Sequence, residues 1–219
     1  MKSKAITGSA SLIICVFSAA AAAEESHWYT TASVGAGNLQ STTLVYSDGA
    51  QQFSADADFT TSFVGGGTLG YQFDNGWSIE GDIQYRRNEL DPVDIGPLGS
   101  FSEGDFASLS FGASLLYRFG LGQNEKLTGY IGPGIVWIQE IDIDFDSDGQ
   151  QEISFESDDT AFELRLGGRY ELSDRLFIDT SVEYLLAGEV TLELPSDNSQ
   201  TVSADYDHWS LNIGLGWRF

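Results

Sequence analysis

From Trp77 to Arg86, apolar and polar positions alternate. Trp77, Ile79, Gly81, Ile83 and Tyr85 fall on one face, and Ser78, Glu80, Asp82, Gln84 and Arg86 on the other. A period of two marks a β-strand whose two faces meet different surroundings. The pattern recurs three times. Phe162, Leu164, Leu166, Gly168, Tyr170 and Leu172 oppose Glu163, Arg165, Gly167, Arg169 and Glu171. Leu176, Ile178, Thr180, Val182, Tyr184 and Leu186 oppose Phe177, Asp179, Ser181, Glu183 and Leu185. Trp209, Leu211, Ile213, Leu215, Trp217 and Phe219 oppose His208, Ser210, Asn212, Gly214, Gly216 and Arg218. Beyond the first two dozen residues, no stretch approaches the length of apolar sequence that a spanning helix needs.

A soluble sandwich also alternates, so the composition of each face has to decide. The polar faces carry small residues and both signs of charge at similar depths, as the inside of a narrow barrel requires. The apolar faces are nearly free of charge, as lipid contact demands, since a midplane Arg or Lys there costs about 2–4 kcal/mol. Connection lengths agree. Short links at 74–76, 120–126 and 173–175 alternate with long ones near 38–58, 88–104, 142–160 and 188–204. The sequence therefore predicts an all-β fold, an eight-stranded antiparallel up-and-down transmembrane barrel. It has short periplasmic turns and four long acidic extracellular loops.

Register follows from parity. Phe73 and Trp77 must share a face, as must Leu172 and Leu176, which sets a three-residue connection in each hairpin. Counting back, Arg169 faces Asp179, Arg165 faces Glu183, and Tyr85 falls opposite Gly65, where a ring can cover a glycine. Leu127–Gln139 is apolar on both faces and contains Gly132-Pro133-Gly134. A closed barrel has no edge on which to place a proline, so a bulge is expected there, and the face parity of this strand stays open.

The N-terminus changes the picture of where the chain goes. Lys2 and Lys4 precede an apolar run and the tract Ala21-Ala22-Ala23, which predicts a secretory signal peptide over 1–23 and a barrel domain over 24–219. Cys15 follows Ile14 inside that run, which does not suit a lipidation site. Cleavage would remove this cysteine, leaving no disulfide or thiolate site, and would leave the chain two charges more negative than its formal −23. So acidic a chain is not expected to bind nucleic acid or to adsorb to anionic phospholipid.

The C-terminus reads Leu215-Gly216-Trp217-Arg218-Phe219, and Tyr130-Ile131-Gly132-Pro133-Gly134 precedes it by some eighty residues. In these features the chain resembles the small outer-membrane β-barrel proteins, of OmpA/OmpX type and opacity type. The resemblance spans residues 24–219. It implies a monomer in the outer membrane of a Gram-negative bacterium, in contact with lipid and lipopolysaccharide. It also implies that Trp217 and Phe219 form the signal read by the assembly machinery. These motifs specify assembly and not activity.

Candidate chemistry is sparse. Gly65-Gly66-Gly67-Thr68-Leu69-Gly70 matches G-x-G-x-x-G but lies within a strand, without the following helix that dinucleotide binding needs. His208 and Ser210 share the luminal face without a nearby carboxylate, so no catalytic residue is expected. Asp144-Phe145-Asp146-Ser147-Asp148-Gly149 begins like a calcium loop. Asp144, Asp146, Asp148 and Glu152 are the candidate ligands for loosely bound Ca²⁺ or Mg²⁺. No other cofactor is expected. Glu80, Asp82, Arg86, Arg118, Glu163, Arg165, Arg169, Asp179, Glu183 and Arg218 point inward by parity. An eight-stranded barrel is only wide enough for its own side chains, so these should form a structural lattice. The sequence thus suggests a non-enzymatic protein with a structural or surface-interaction role. The alternatives are a narrow pore or transporter for small solutes, and a lipid-modifying enzyme.

Overall fold

The computed structural model describes residues 26–121, 126–146 and 153–219, and the expected signal peptide lies outside them. Twelve strands follow one another: β1 (His27–Leu39), β2 (Thr42–Ser47), β3 (Gln52–Ala57), β4 (Ser62–Gln72), β5 (Trp77–Glu89) and β6 (Val93–Asp94), then β7 (Ser100–Phe101), β8 (Glu103–Gly120), β9 (Leu127–Asp146), β10 (Ile153–Glu171), β11 (Leu176–Leu194) and β12 (Asp197–Arg218). Eight of them, β1, β4, β5, β8, β9, β10, β11 and β12, pair antiparallel in chain order, and β1 closes the ring on β12. Among the described residues no helix is long and apolar enough to cross a membrane. The chain crosses with strands.

Turn chemistry fixes the short ends. Gly76, with φ 86°, takes the left-handed conformation after Asn75, whose side chain accepts the Trp77 N–H at 3.2 Å. Ser173 does the same for the second hairpin, accepting the Leu176 N–H at 3.1 Å. The resulting registers set Arg165 opposite Glu183, Arg169 opposite Asp179 and Gly65 opposite Tyr85. Outward-facing residues form an apolar belt that includes Val34, Ile79, Leu115, Ile135, Leu164, Leu211 and Ile213. Trp28, Trp77, Trp137, Trp209 and Trp217 lie on the same outer face, the aromatic enrichment typical of the membrane interfaces.

One expectation needs correction. The bulge does not lie at Gly132-Pro133-Gly134. Those residues hold an unbroken register with β10, as Arg165↔Gly132, Leu164↔Pro133 and Glu163↔Gly134. Pro133 is tolerated because the β8–β9 ladder omits two pairs there without changing register. Gly132 lets the Leu115 carbonyl approach to where a Cβ would otherwise stand. The register shifts instead at Gln139 and Glu140, both exposed. Below them Val136 and Ile138 face inward; above them Ile141, Ile143 and Phe145 do, and Asp142 and Asp144 face out. A second parity switch sits in β11 at Ala187-Gly188, where Gly188 has φ 75°. It turns Val190 and Leu192 inward.

The long links are largely built of strand. β9 and β10 run to Asp146 and from Ile153, and β11 turns into β12 between Leu194 and Asp197. β2 and β3 form a hairpin that docks on β12 through Thr201–Ser203. The interior of this extracellular extension is apolar, built from Leu44, Ile141, Ile143, Phe145, Phe155, Leu192 and Tyr206 among others. Burial of that stripe orders these acidic segments.

Candidate functional site

Below the apolar core, the lumen is filled by charge. β5 contributes Glu80, Asp82, Gln84 and Arg86 at alternate positions, and β10 contributes Glu163, Arg165 and Arg169 from across the ring. Arg165 lies at the centre. Its guanidinium reaches Glu80 at 2.8 Å, Glu163 at 2.9 Å, and Asp82 and Glu183 at 3.2 Å each. The five donors of a guanidinium fork suit such convergence, whereas a lysine would offer a point charge on a flexible stem. Gln84 relays the network by donating to Glu183 at 2.9 Å and accepting from Arg86 at 2.6 Å. Arg86 also donates to Ser110 at 2.8 Å and lies 3.8 Å from Glu163.

A second knot lies toward the periplasmic end. Arg169 donates to Asp179 at 3.1 Å, and Tyr130 donates to the other Asp179 oxygen at 2.6 Å. The Arg169 guanidinium lies 3.9 Å from the Phe177 ring centre and 4.4 Å from that of Tyr29, while Tyr29 donates to Glu80. Arg118 also lies over the Tyr29 ring, at 4.8 Å. Arg218 and Glu171, 2.6 Å apart, sit near the periplasmic ends of their strands. The ten charged residues that parity had pointed inward are therefore all luminal, and nine of them appear in salt bridges with acids or bases of the same lumen. Between the two knots lies a cavity of about 20 Å³ lined by Glu80, Tyr130, Asp179, Glu183 and Asn212, room for about one water. That is the geometry of a plug.

A family model described as the outer membrane protein beta-barrel domain matches residues 7–219. The chain belongs to that family.

Solved barrels share the fold at low identity. OprG from Pseudomonas aeruginosa is 22% identical with a TM-score of 0.68, covering 89% of this chain and 97% of its own. A major outer membrane protein from Thermus thermophilus is 12% identical with a TM-score of 0.53, over 88% and 99%. The outer membrane protein AlkL is 16% identical with a TM-score of 0.50, over 100% and 97%. No curated protein sequence matches.

Two features of this outer-membrane barrel escape the sequence pattern. His208 does not turn to Ser210, which instead accepts from Asn212 at 3.1 Å. The partner of His208 is Ser62 of β4, 2.9 Å from its Nε2, and both are buried at the boundary between the charged lumen and the apolar core. Parity already turned Ser62 inward, but nothing local in the sequence marks a serine at a strand end. Among the described residues no carboxylate is seen to orient the histidine.

The second is on the outer face. Asp105 of β8 and Asp142 and Asp144 of β9 bring carboxylate oxygens within 4.8 Å of one another. Arg87 pairs with Asp105 at 2.8 Å. Partial burial, together with Asp144, Asp105, Glu140 and Glu156, pushes Asp142 up to about 6. Of the expected metal ligands, Asp144 is in this group. Asp148 and Glu152 lie outside the described residues, as does the side chain of Asp146. Trp217 and Phe219 close the last strand on the lipid face, with the Phe219 N–H donating to the Trp28 carbonyl at 2.9 Å.

Proposed function

We propose that this protein is a non-enzymatic, ion-tight barrel of the Gram-negative outer membrane. In this reading it carries a folded acidic β-extension at the cell surface in a structural or interaction role. The observation that carries the reading is Arg165, one guanidinium shared by four carboxylates at the centre of the lumen. Charges so buried persist where they are paired, and a barrel of eight strands has no room to hydrate them. A liposome-swelling assay tests it: liposomes carrying the refolded barrel should swell in small sugars and salts no faster than empty ones. Swelling that scales with protein content would refute the reading.

A second reading is favoured by one specific observation. Between Glu156↔Glu193 and Phe162↔Leu186, no residue of β10 pairs with β11. Among the described residues this is the longest break in any ladder between neighbouring barrel strands. It starts immediately above Phe162 and Leu186, both exposed on the belt, and Ala161, Val190 and Leu192 line the apolar interior behind it. A weakened wall at that height suits sideways passage of small apolar solutes between the upper interior and the outer leaflet. This transport role needs no path through the charged plug. Protein-dependent uptake of an apolar dye into liposomes that remain tight to ions would support it.

A further inference from the structure

Gly81 stands on the lipid face of β5, where the fold itself does not require a glycine. Its φ is not positive. A Cβ there would meet nothing closer than the Gly112 carbonyl oxygen at 3.9 Å, so no neighbour crowds it. Gly65 differs, because the Phe63 ring would lie 3.1 Å from its Cβ. The residues opposite Gly81 are Leu69 and Ala113, neither of them a ring that could cover it. Glycine inside a strand weakens it and often marks a place where something else approaches closely.

The space over Gly81 opens into a groove of about 430 Å³, lined by Trp28, Leu69, Tyr71, Ile79 and Gly81. Trp28, Tyr71 and Ile79 stand side by side in one row across β1, β4 and β5, with Leu69 and Gly81 in the next row. The first row is braced by its rings. Trp28 packs edge-on against Tyr71 at 5.1 Å between ring centres, and Tyr71 against Phe73 at 5.0 Å.

Depth selects the occupant. Tyr71 lies three residues before Asp74-Asn75-Gly76, a short turn, and the Trp28 carbonyl accepts the N–H of Phe219 at the end of the last strand. The groove therefore sits at the periplasmic end of the apolar belt and is continuous with the lipid-facing surface, so hydrocarbon covers it. Trp and Tyr at such a depth lie at headgroup level, where their polar ends meet ester and phosphate groups. Five lining residues are too few for a protein partner, since a stable interface takes about 20–30 residues a side.

We propose that this groove binds one acyl chain of a phospholipid from the periplasmic leaflet and retains that lipid on the barrel while the bulk lipid around it exchanges. Gly81 supplies the depth, Leu69 and Ile79 the flanks, and the stack of Trp28, Tyr71 and Phe73 the wall beneath the headgroup. The site is independent of the luminal charges and of any sideways passage higher in the barrel.

Native mass spectrometry of the refolded barrel in a mild detergent, with palmitoyl-oleoyl-phosphatidylethanolamine added, reads the bound lipid directly. The parent should carry one lipid per chain. Gly81→Leu fills the groove from its floor, without a backbone clash, and should lower the lipid-bound fraction several-fold. Gly168 also faces outward, with nothing nearer to its Cβ than 3.7 Å, but lies outside the groove. Gly168→Leu should therefore bind as the parent does. Should Gly81→Leu fail to fold, Trp28→Ala removes part of the wall and should lower the bound fraction as well. A parent without bound lipid overturns the proposal, and so does equal retention by all variants or equal loss in both glycine variants. A dimer in place of the lipid-bound monomer, lost in Gly81→Leu, would give the groove to a second copy of the chain and overturn it too.

Discussion

Arg165 and Glu183 stand directly opposite each other on β10 and β11, with the guanidinium Nε 3.2 Å from the carboxylate. Arg165 also serves Glu80, Asp82 and Glu163, so the pair is unequal. Removing Glu183 leaves the arginine three partners, while removing Arg165 takes the shared cation from four buried carboxylates. Breaking a buried pair costs about 3–5 kcal/mol. We expect Arg165→Met to reach or exceed that range, and Glu183→Gln to fall clearly below it. The double variant should be less unstable than the sum of the two. Urea unfolding in detergent micelles, followed by heat-modifiable gel mobility, measures all three, and additive effects would break the pairing.

Two glycines separate packing from propensity. A Cβ on Gly132 would stand within bonding distance of the Leu115 carbonyl oxygen, in backbone that cannot move aside, whereas one on Gly81 meets nothing closer than 3.9 Å. Gly132→Ala should therefore destabilise the β8–β9 seam by about 3 kcal/mol or block assembly, in line with overpacking at a rigid site. Gly81→Ala should change stability by about 0.5 kcal/mol or less. Equal behaviour of the two would mean that close strand approach is not what Gly132 provides.

The outer-face acids set a pH dependence. Asp142 titrates near 6 in the folded protein, against an ordinary value of 3.8. Between those values the folded state holds the extra proton, so stability falls as pH rises through the window. Below about pH 4 the penalty is absent, and above about pH 6 it is complete. Asp142→Asn should flatten this component and protect the upper β9 amides at neutral pH. Hydrogen exchange at pH 4, 5 and 7 reads it. Protection that increases with pH in the parent would contradict the sign.

Much of the lower barrel was legible in the sequence, because lipid on one side and a crowded lumen on the other impose a strict period of two. That is why the Arg165–Glu183 and Arg169–Asp179 facings follow from the apolar residues at two hairpin turns. The upper half was not. One extra residue at Gln139–Glu140 and another at Gly188 invert the faces of β9 and β11, and neither carries the proline that drew attention to 132–134. Ile141, Ile143 and Phe145 alternate with acids, and Val190 and Leu192 are flanked by Glu189 and Glu193. Without the bulges, strand parity would turn those acids inward, so the apolar stripe shows only once the bulges are placed. The Ser62–His208 contact joins strands 146 residues apart, a separation no local pattern reports.

The last strand carries a further expectation. Phe219 is 68% exposed on the lipid face and holds β1 only through its backbone, so the folded barrel has little need of its ring. Phe219→Ala should leave the refolded protein about as stable as the parent while lowering its yield in the outer membrane several-fold. Fractionation of cells beside in vitro refolding distinguishes the two effects. Normal membrane yield of the variant would remove the assembly role.

The central claim is that the lattice around Arg165 seals the lumen, and single-channel recording in planar bilayers tests it most directly. The refolded parent should give a baseline without discrete conductance steps at moderate voltage. Reproducible, ohmic steps from the parent would contradict the account.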